Sequence, residues 1–431
     1  MSTVSDATST IQDNLSQGIF DWDVTHSELI ENNQVVADLT PQQRNELIAG
    51  LSDDDLKNWT QEIDGWSGAL SASERQELFN NLAQGLDATQ LTRLVKAFEG
   101  SPGGYQALGE AVANHASADT KLAFIQATQG SIDGEYYATQ GRDGNAETAV
   151  VARVLGSLAN DPAQFDAAVK SLSDSQLADV IKVGLGRNHI AGPYTSTTLY
   201  EPSAALDILR GAANSSDPEV KGRVFEAGTE HLTMVEGGSA DAALTEGLTQ
   251  IMQSDPNAVV NELQTRTDIT GESLSNYIKE MLNSDRAQDV RNLLVQMQQG
   301  NDGSGNAYQN FANPETARNI GFFAGATAAA INSITGDAED QANLLKNIFG
   351  AGFGAAGAAN PAAGVIASVG NGITAIAIDD IINGVKNDNT DLKRALYELA
   401  IPRGPDGKLN MQGTGYTDFN AAYSAIAEVN R

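Results

Sequence analysis

Residues 39–63 read LTPQQRNELIAGLSDDDLKNWTQEI. Leu51 falls four positions after Leu47 and three after Ile48, a spacing that gathers apolar side chains on one face of a helix but scatters them across both faces of a strand. Thr40-Pro41 and Ser52-Asp53-Asp54 are helix-start chemistry. Hydroxyl and carboxylate oxygens accept the unpaired first-turn amides, and Pro at the first helical position gives up an amide that has no partner there. The stretch therefore predicts a helix, a polar hinge and a second helix.

The same reading extends outward in both directions. Leu78, Phe79 and Leu82, then Leu91, Leu94, Val95 and Phe98, repeat the pattern over Arg75 to Phe98, and Phe165 to Leu185 repeats it again. Further starts stand at Ser71, Asp161-Pro162, Ser173-Asp174, Asp217-Pro218 and Asp255-Pro256, while sustained alternation of period two is hard to find. The fold class is expected to be all-α. Within it lies an internal duplication: Ala113-Asn114, Lys121, Phe124-Ile125 and Ala127 reappear without a gap as Ala213-Asn214, Lys221, Val224-Phe225 and Ala227. The copies extend over 105–185 and 205–282. A unit with an apolar stripe that it cannot cover alone is covered by stacking, which predicts a solenoid-like helical repeat array over 37–300 behind a flexible segment 1–36. Two inserts, Ser131 to Asn145 and Gly186 to Pro202, are long for connections in such an array. They supply the candidate binding loops, with Glu135, Tyr136 and Tyr137 in the first and Arg187, His189, Tyr194 and Tyr200 in the second.

Beyond a Gly/Asn-rich linker at 301–314, the charge thins out. Residues 319–336 and 347–378 contain no charged side chain. About 20 apolar residues in a helix cross a hydrocarbon core of about 30 Å. Asn360-Pro361 divides the longer span into two arms, so 315–431 is expected to be a helical domain with a small-residue-rich hairpin. Gly350, Gly354 and Ala358 fall at intervals of four, as do Gly321 and Gly325, a glycine-zipper-like spacing that lets helices approach closely. Pro361 opens the second arm, and Asp379-Asp380 ends it with two groups suited to water. A hairpin that enters a bilayer and a hairpin that is ordinary buried core both account for these residues.

The hairpin ending in Ile376-Ala377-Ile378-Asp379-Asp380 resembles the hydrophobic hairpin of pore-forming colicins, and the segments Leu39 to Ile63 and Leu70 to Phe98 are similar to helical scaffolds of bacterial secreted effectors and toxins. The resemblance implies a membrane-active virulence protein, with a lipid bilayer, a secretion chaperone or an immunity protein as partner.

Composition sets the outer limits. The chain has 431 residues and a formal charge of −30, and no Lys or Arg precedes Arg44, which excludes a phosphate-tracking nucleic-acid binder. There is no cysteine, hence no disulfide and no thiolate chemistry. The opening Met1 to Gln17 lacks the apolar run of a signal peptide, which leaves a leaderless injection-type export route or the cytoplasm. His26, His115, His189 and His231 stand in no metal-ligand spacing, and neither a phosphate loop nor a serine nucleophile elbow is present. No metal or cofactor is expected. The protein reads as non-enzymatic, with a carboxylate at Glu135 as the one opening left for catalysis.

Overall fold

Threonine, serine and aspartate cap the helices where the sequence places them. The computed structural model describes residues 3–16, 24–63, 70–98, 102–137, 142–185, 188–192, 195–199, 203–232, 239–268, 270–300, 305–350, 375–387 and 391–427. The chain is all-α in class, and it divides into two compact units, Met1–Ser216 and Asp217–Arg431. The change in composition at 300–314 thus lies inside the second unit.

The first unit runs through α1 (Val4–Leu15), α2 (His26–Ala37), α3 (Pro41–Gly50), α4 (Asp53–Ile63), α5 (Ala72–Ala83), α6 (Ala88–Ala97), α7 (Pro102–His115), α8 (Ala118–Thr128), α9 (Ala146–Ser157), α10 (Pro162–Ser171), α11 (Asp174–Gly184) and α12 (Ser203–Asn214). Of segment 1–36, expected to be a flexible lead-in, residues 4–15 and 26–36 are helical. Thr3 with Asp6 and Thr25 with Glu28 close capping boxes, and Ile11, Leu29 and Val36 are buried. Helices pack against the next but one: α1 on α3, α3 on α5, α5 on α7, α7 on α9 and α9 on α11, with α4, α6, α8, α10 and α12 linked in the same way. The core between these rows holds Trp59, Phe79, Phe98, Phe124 and Phe165, all essentially inaccessible, with Phe79 and Phe98 edge to face at 5.2 Å.

Helix C-termini leave carbonyls without intrahelical partners. Here side chains from other helices meet them. Arg44 donates to the carbonyls of Val36 and Ala37, Arg93 to those of Ile48 and Leu51, Thr60 to Ala97 and Gln129 to Ser171.

The second unit comprises α13 (Pro218–Thr229), α14 (Ser239–Ser254), α15 (Pro256–Glu262), α16 (Glu272–Asn283), α17 (Ala287–Gln299), α18 (Ala307–Phe311), α19 (Pro314–Ile334), α20 (Ala338–Leu345), α21 (Ala375–Lys386), α22 (Leu392–Ala400) and α23 (Thr414–Ala427). A π-turn, Leu263–Thr267, extends α15, and another, Lys346–Gly350, extends α20. The linker expected at 301–314 contains α18, which is capped by Asn306 and anchored by the fully buried Phe311. Helix α19 is the hub. It packs against α15, α16, α17, α18, α20, α22 and α23, and every residue from Asn319 to Ile331 is buried. A helix wrapped on all sides has no face for charge, which accounts for the absence of charge over 319–331. Over its middle, where Gly321 and Gly325 meet Phe419 and Tyr423, the rings of Phe419, Tyr423 and Tyr397 form an edge-to-face and stacked cluster with centroids 4.9–6.3 Å apart.

The gapless part of the sequence match falls on two helices that start 100 residues apart. Helix α8 starts at 118 and α13 at 218, and Lys121, Phe124 and Ile125 are buried like Lys221, Val224 and Phe225.

Candidate functional site

The two inserts, 45 or more positions apart in the chain, join in one small antiparallel sheet. Strands β1 (Tyr136–Tyr137), β2 (Arg142–Asp143), β3 (Asn188–Gly192) and β4 (Thr195–Leu199) stand in the order β1-β2-β3-β4. Tyr136 pairs with Asp143 and Tyr137 with Arg142; Arg142 then pairs with Asn188, which is the single register that joins the inserts. His189 stands opposite Thr198. Sequence reasoning expected irregular loops here. Thr195-Ser196-Thr197-Thr198 after Gly192-Pro193 was the available strand signal, since β-branched residues bounded by turn formers favour extended backbone. The two-residue strands β1 and β2 carry no such mark.

Of the binding-loop candidates, Glu135 is exposed immediately before β1, Tyr136 and Tyr137 form β1, and His189 lies in β3. Arg187, Tyr194 and Tyr200 lie outside the described residues. Close to Glu135, Asp179 of α11 is held above the ordinary carboxylate range, first by burial and then by the neighbouring carboxylates of Asp133 and Glu135, with Lys182 acting against them. Neither Asp179 nor Lys182 stood out in the sequence, because a carboxylate and a lysine three positions apart on an amphipathic helix look like a solvated face.

The hairpin candidates separate into three groups. Gly321 and Gly325 are buried beneath α23: a Cβ at 321 would lie 2.3 Å from the Phe419 carbonyl oxygen, and one at 325 would lie 2.9 Å from that of Tyr423. Their zipper face is therefore occupied from within the unit. Gly350 ends the π-turn, and Gly354, Ala358 and Pro361 lie outside the described residues. Asp379 and Asp380 are exposed on α21. The π-turn Lys346–Gly350 and α20 both pack against α21, and Lys386 pairs with Glu339 at 2.9 Å. The two flanks of 351–374 are thus side by side.

Among the described residues, no helix is long and apolar enough to cross a membrane, and no group of three or more His, Asp or Glu side chains is placed to hold a metal ion. His26 bonds to Glu74 at 3.1 Å, His115 is exposed and His231 is buried. His26, together with the Ser71 cap as the larger cause, draws the Glu74 carboxyl down to about 2. No family model matches this sequence and no curated protein matches it, so the site is read from its own residues.

Proposed function

We propose that the chain is a non-enzymatic helical-repeat protein, an exported bacterial effector, that acts on a lipid bilayer through the uncharged residues 347–378. The repeat part of this reading is supported by side-chain bonds that recur at a nearly constant separation. Asn45 to Asp87, Arg93 to Asp53, Gln164 to Asp119, Arg286 to Glu246 and Gln296 to the Gln253 carbonyl span 42, 40, 45, 40 and 43 residues. These bonds tie helices two or three apart in chain order, the recurring neighbour contact that a stacked array requires.

The membrane part rests on one observation: a run of 32 residues, 347–378, carries no charge, and the described flanks of its middle part 351–374 are adjacent, with Asp379 and Asp380 exposed just after it. Magnitude limits what it can do. Nine residues, 351–359, separate the π-turn from Asn360 and would reach about 14 Å as a helix, short of a hydrocarbon core of about 30 Å, so the hairpin dips into one leaflet rather than crossing both. A second reading, an interaction scaffold with the hairpin as core, draws support from the burial of Gly321 and Gly325.

Vesicles separate the two. With zwitterionic liposomes the full chain is expected to bind and release trapped dye, more strongly at about pH 5 than at about pH 7, since carboxylates near the lipid surface lose their desolvation cost when protonated. Ile366→Arg places a permanent cation in the hairpin, at a cost of about 2.5–3.5 kcal/mol at the bilayer centre, and should cut binding by at least about tenfold. Absence of binding by the parent chain across this range removes the bilayer reading. Destabilisation of the unit by Ile366→Arg with no vesicle effect establishes the scaffold.

A further inference from the structure

Where the first insert leaves α8, two side chains of α11 take hold of a single residue. The Gly134 amide donates to the Asp179 carboxylate, and Lys182, one turn further along, donates from Nζ to the Gly134 carbonyl at 2.5 Å. Both backbone polar groups of residue 134 are satisfied by one helix. A Cβ at this position would lie 2.1 Å from Asp179 Oδ1, so the carboxylate reaches the backbone only because the residue is glycine. The chain on either side is folded back on itself. The Asp133 amide donates to Thr148 Oγ1 at 2.8 Å, the Asn145 amide to the Asp133 carbonyl at 3.2 Å, and the Gly144 amide to the Glu135 carbonyl. Strand β1 begins two residues after the point that α11 holds.

We propose that Asp179 and Lys182 form a latch that clamps the root of the insert sheet to α11 and closes more firmly as the pH falls. The charges around the latch are unbalanced. Three carboxylates, Asp179, Asp133 and Glu135, face the single ammonium of Lys182, so at neutral pH the closed latch brings like charges together. The elements packed on α11 add Glu147 and Arg153 from α9 and the Asp207–Arg210 pair, 2.9 Å apart, from α12. The groups that act most on Asp179 are Lys182, Asp133 and Glu135, after burial itself.

Burial and the two neighbouring carboxylates raise the Asp179 carboxyl above its ordinary value of 3.8. The closed latch therefore takes up a proton more readily than the open one. Its stabilisation is complete below the ordinary value and is lost as pH rises through the raised one. A protonated carboxyl keeps a carbonyl oxygen for the Gly134 amide and sheds the repulsion. The sheet with Glu135, Tyr136, Tyr137 and His189 is accordingly held more rigidly in acid, an effect confined to the first unit and independent of what residues 347–378 do.

Hydrogen exchange of the full chain, corrected for intrinsic pH dependence, tests this from about pH 3.5, below the ordinary Asp179 value, to about pH 7.5. Amides at 133–137 and 142–145 are expected to be at least about threefold better protected on the acid side, with α10 amides as the internal folding control. Asp179→Asn, which mimics the protonated group, should retain the acid-side protection throughout, and Lys182→Met should lower protection at every pH. A parent chain without pH dependence, or an Asp179→Asn chain that keeps it, overturns the latch. Protection unchanged by Lys182→Met overturns the part assigned to the lysine.

Discussion

Replacing Gly321 by Ala is expected to destabilise the α19–α23 pairing by about 3 kcal/mol, whereas the same change at Gly325 should be close to neutral. Both substitutions gain the same helix propensity, about 1 kcal/mol, because both positions lie within α19. What differs is the depth of the overlap. At 321 the new methyl meets backbone atoms of α23: the Phe419 carbonyl oxygen at 2.3 Å and its Cα at 2.8 Å. Backbone cannot rotate away as a side chain can, so α23 must move and the contacts of Phe419 with Tyr397 at 5.1 Å and Phe311 at 5.7 Å open with it. At 325 backbone is also nearest, the Tyr423 carbonyl oxygen at 2.9 Å and its Cα at 3.2 Å with Ile426 Cβ at 3.1 Å, but each gap is wider, and a shift of a few tenths of an ångström relieves the overlap. Hydrogen exchange of peptides from 314–334 and 414–427 reads the difference directly. Equal tolerance at the two positions would mean that α23 does not sit on this face in solution, and Gly321 would return to the residues free to meet lipid.

What could be read from the sequence was local. Helix starts were legible because capping needs one oxygen at one position: Thr40, Ser71, Asp161 and Ser173 accept first-turn amides as expected. The unit division was not. Charge thins at 319 because α19 is wrapped on every side, and a buried hub marks the centre of a unit rather than its border. The Gly/Asn stretch that suggested a linker held its own contrary sign in Phe311, an apolar residue that α18 delivers to the aromatic cluster. Of the candidate site, the positions of the inserts were legible, whereas the union of the inserts was not. It rests on the pairing of Arg142 with Asn188, a long-range contact between residues with no local preference to pair.

Buried cations were the other silent feature, and Arg44 gives the second large effect. Arg44→Met is expected to cost about 3 kcal/mol, roughly twice the cost of Arg93→Met. The Arg44 side chain lies three positions before Leu47 and four before Ile48, on the stripe that faces the core, and it is only 6% exposed. It donates to the carbonyls of Val36 at 3.0 Å, Ala37 at 3.1 Å and Asn81 at 2.8 Å, which joins the C-terminal end of α2 to α5. No carboxylate bond to it is found among the described residues, and burial lowers its proton affinity, so helix-end carbonyls carry the compensation for a desolvated charge. Methionine fills similar volume but removes the guanidinium donor from the Ala37 and Asn81 carbonyls, and leaves the Val36 carbonyl only its bond from the backbone at the helix end, where water has little access. Arg93 makes more bonds, to the carbonyls of Ile48 and Leu51, to Gln90 Oε1 at 3.0 Å and twice to Asp53, at 2.7 and 2.9 Å. Its side chain is 26% exposed and Asp53 is 85% exposed, so water replaces much of what is removed. Arg44→Lys should recover less than half of the loss, because one ammonium cannot span three carbonyls arranged for a planar fork. Urea unfolding followed through Trp59, which is 1% exposed in the same unit, ranks the three variants. Equal costs for Arg44→Met and Arg93→Met would show that the interior around Arg44 is open to water and that its carbonyl contacts contribute no more than surface ones.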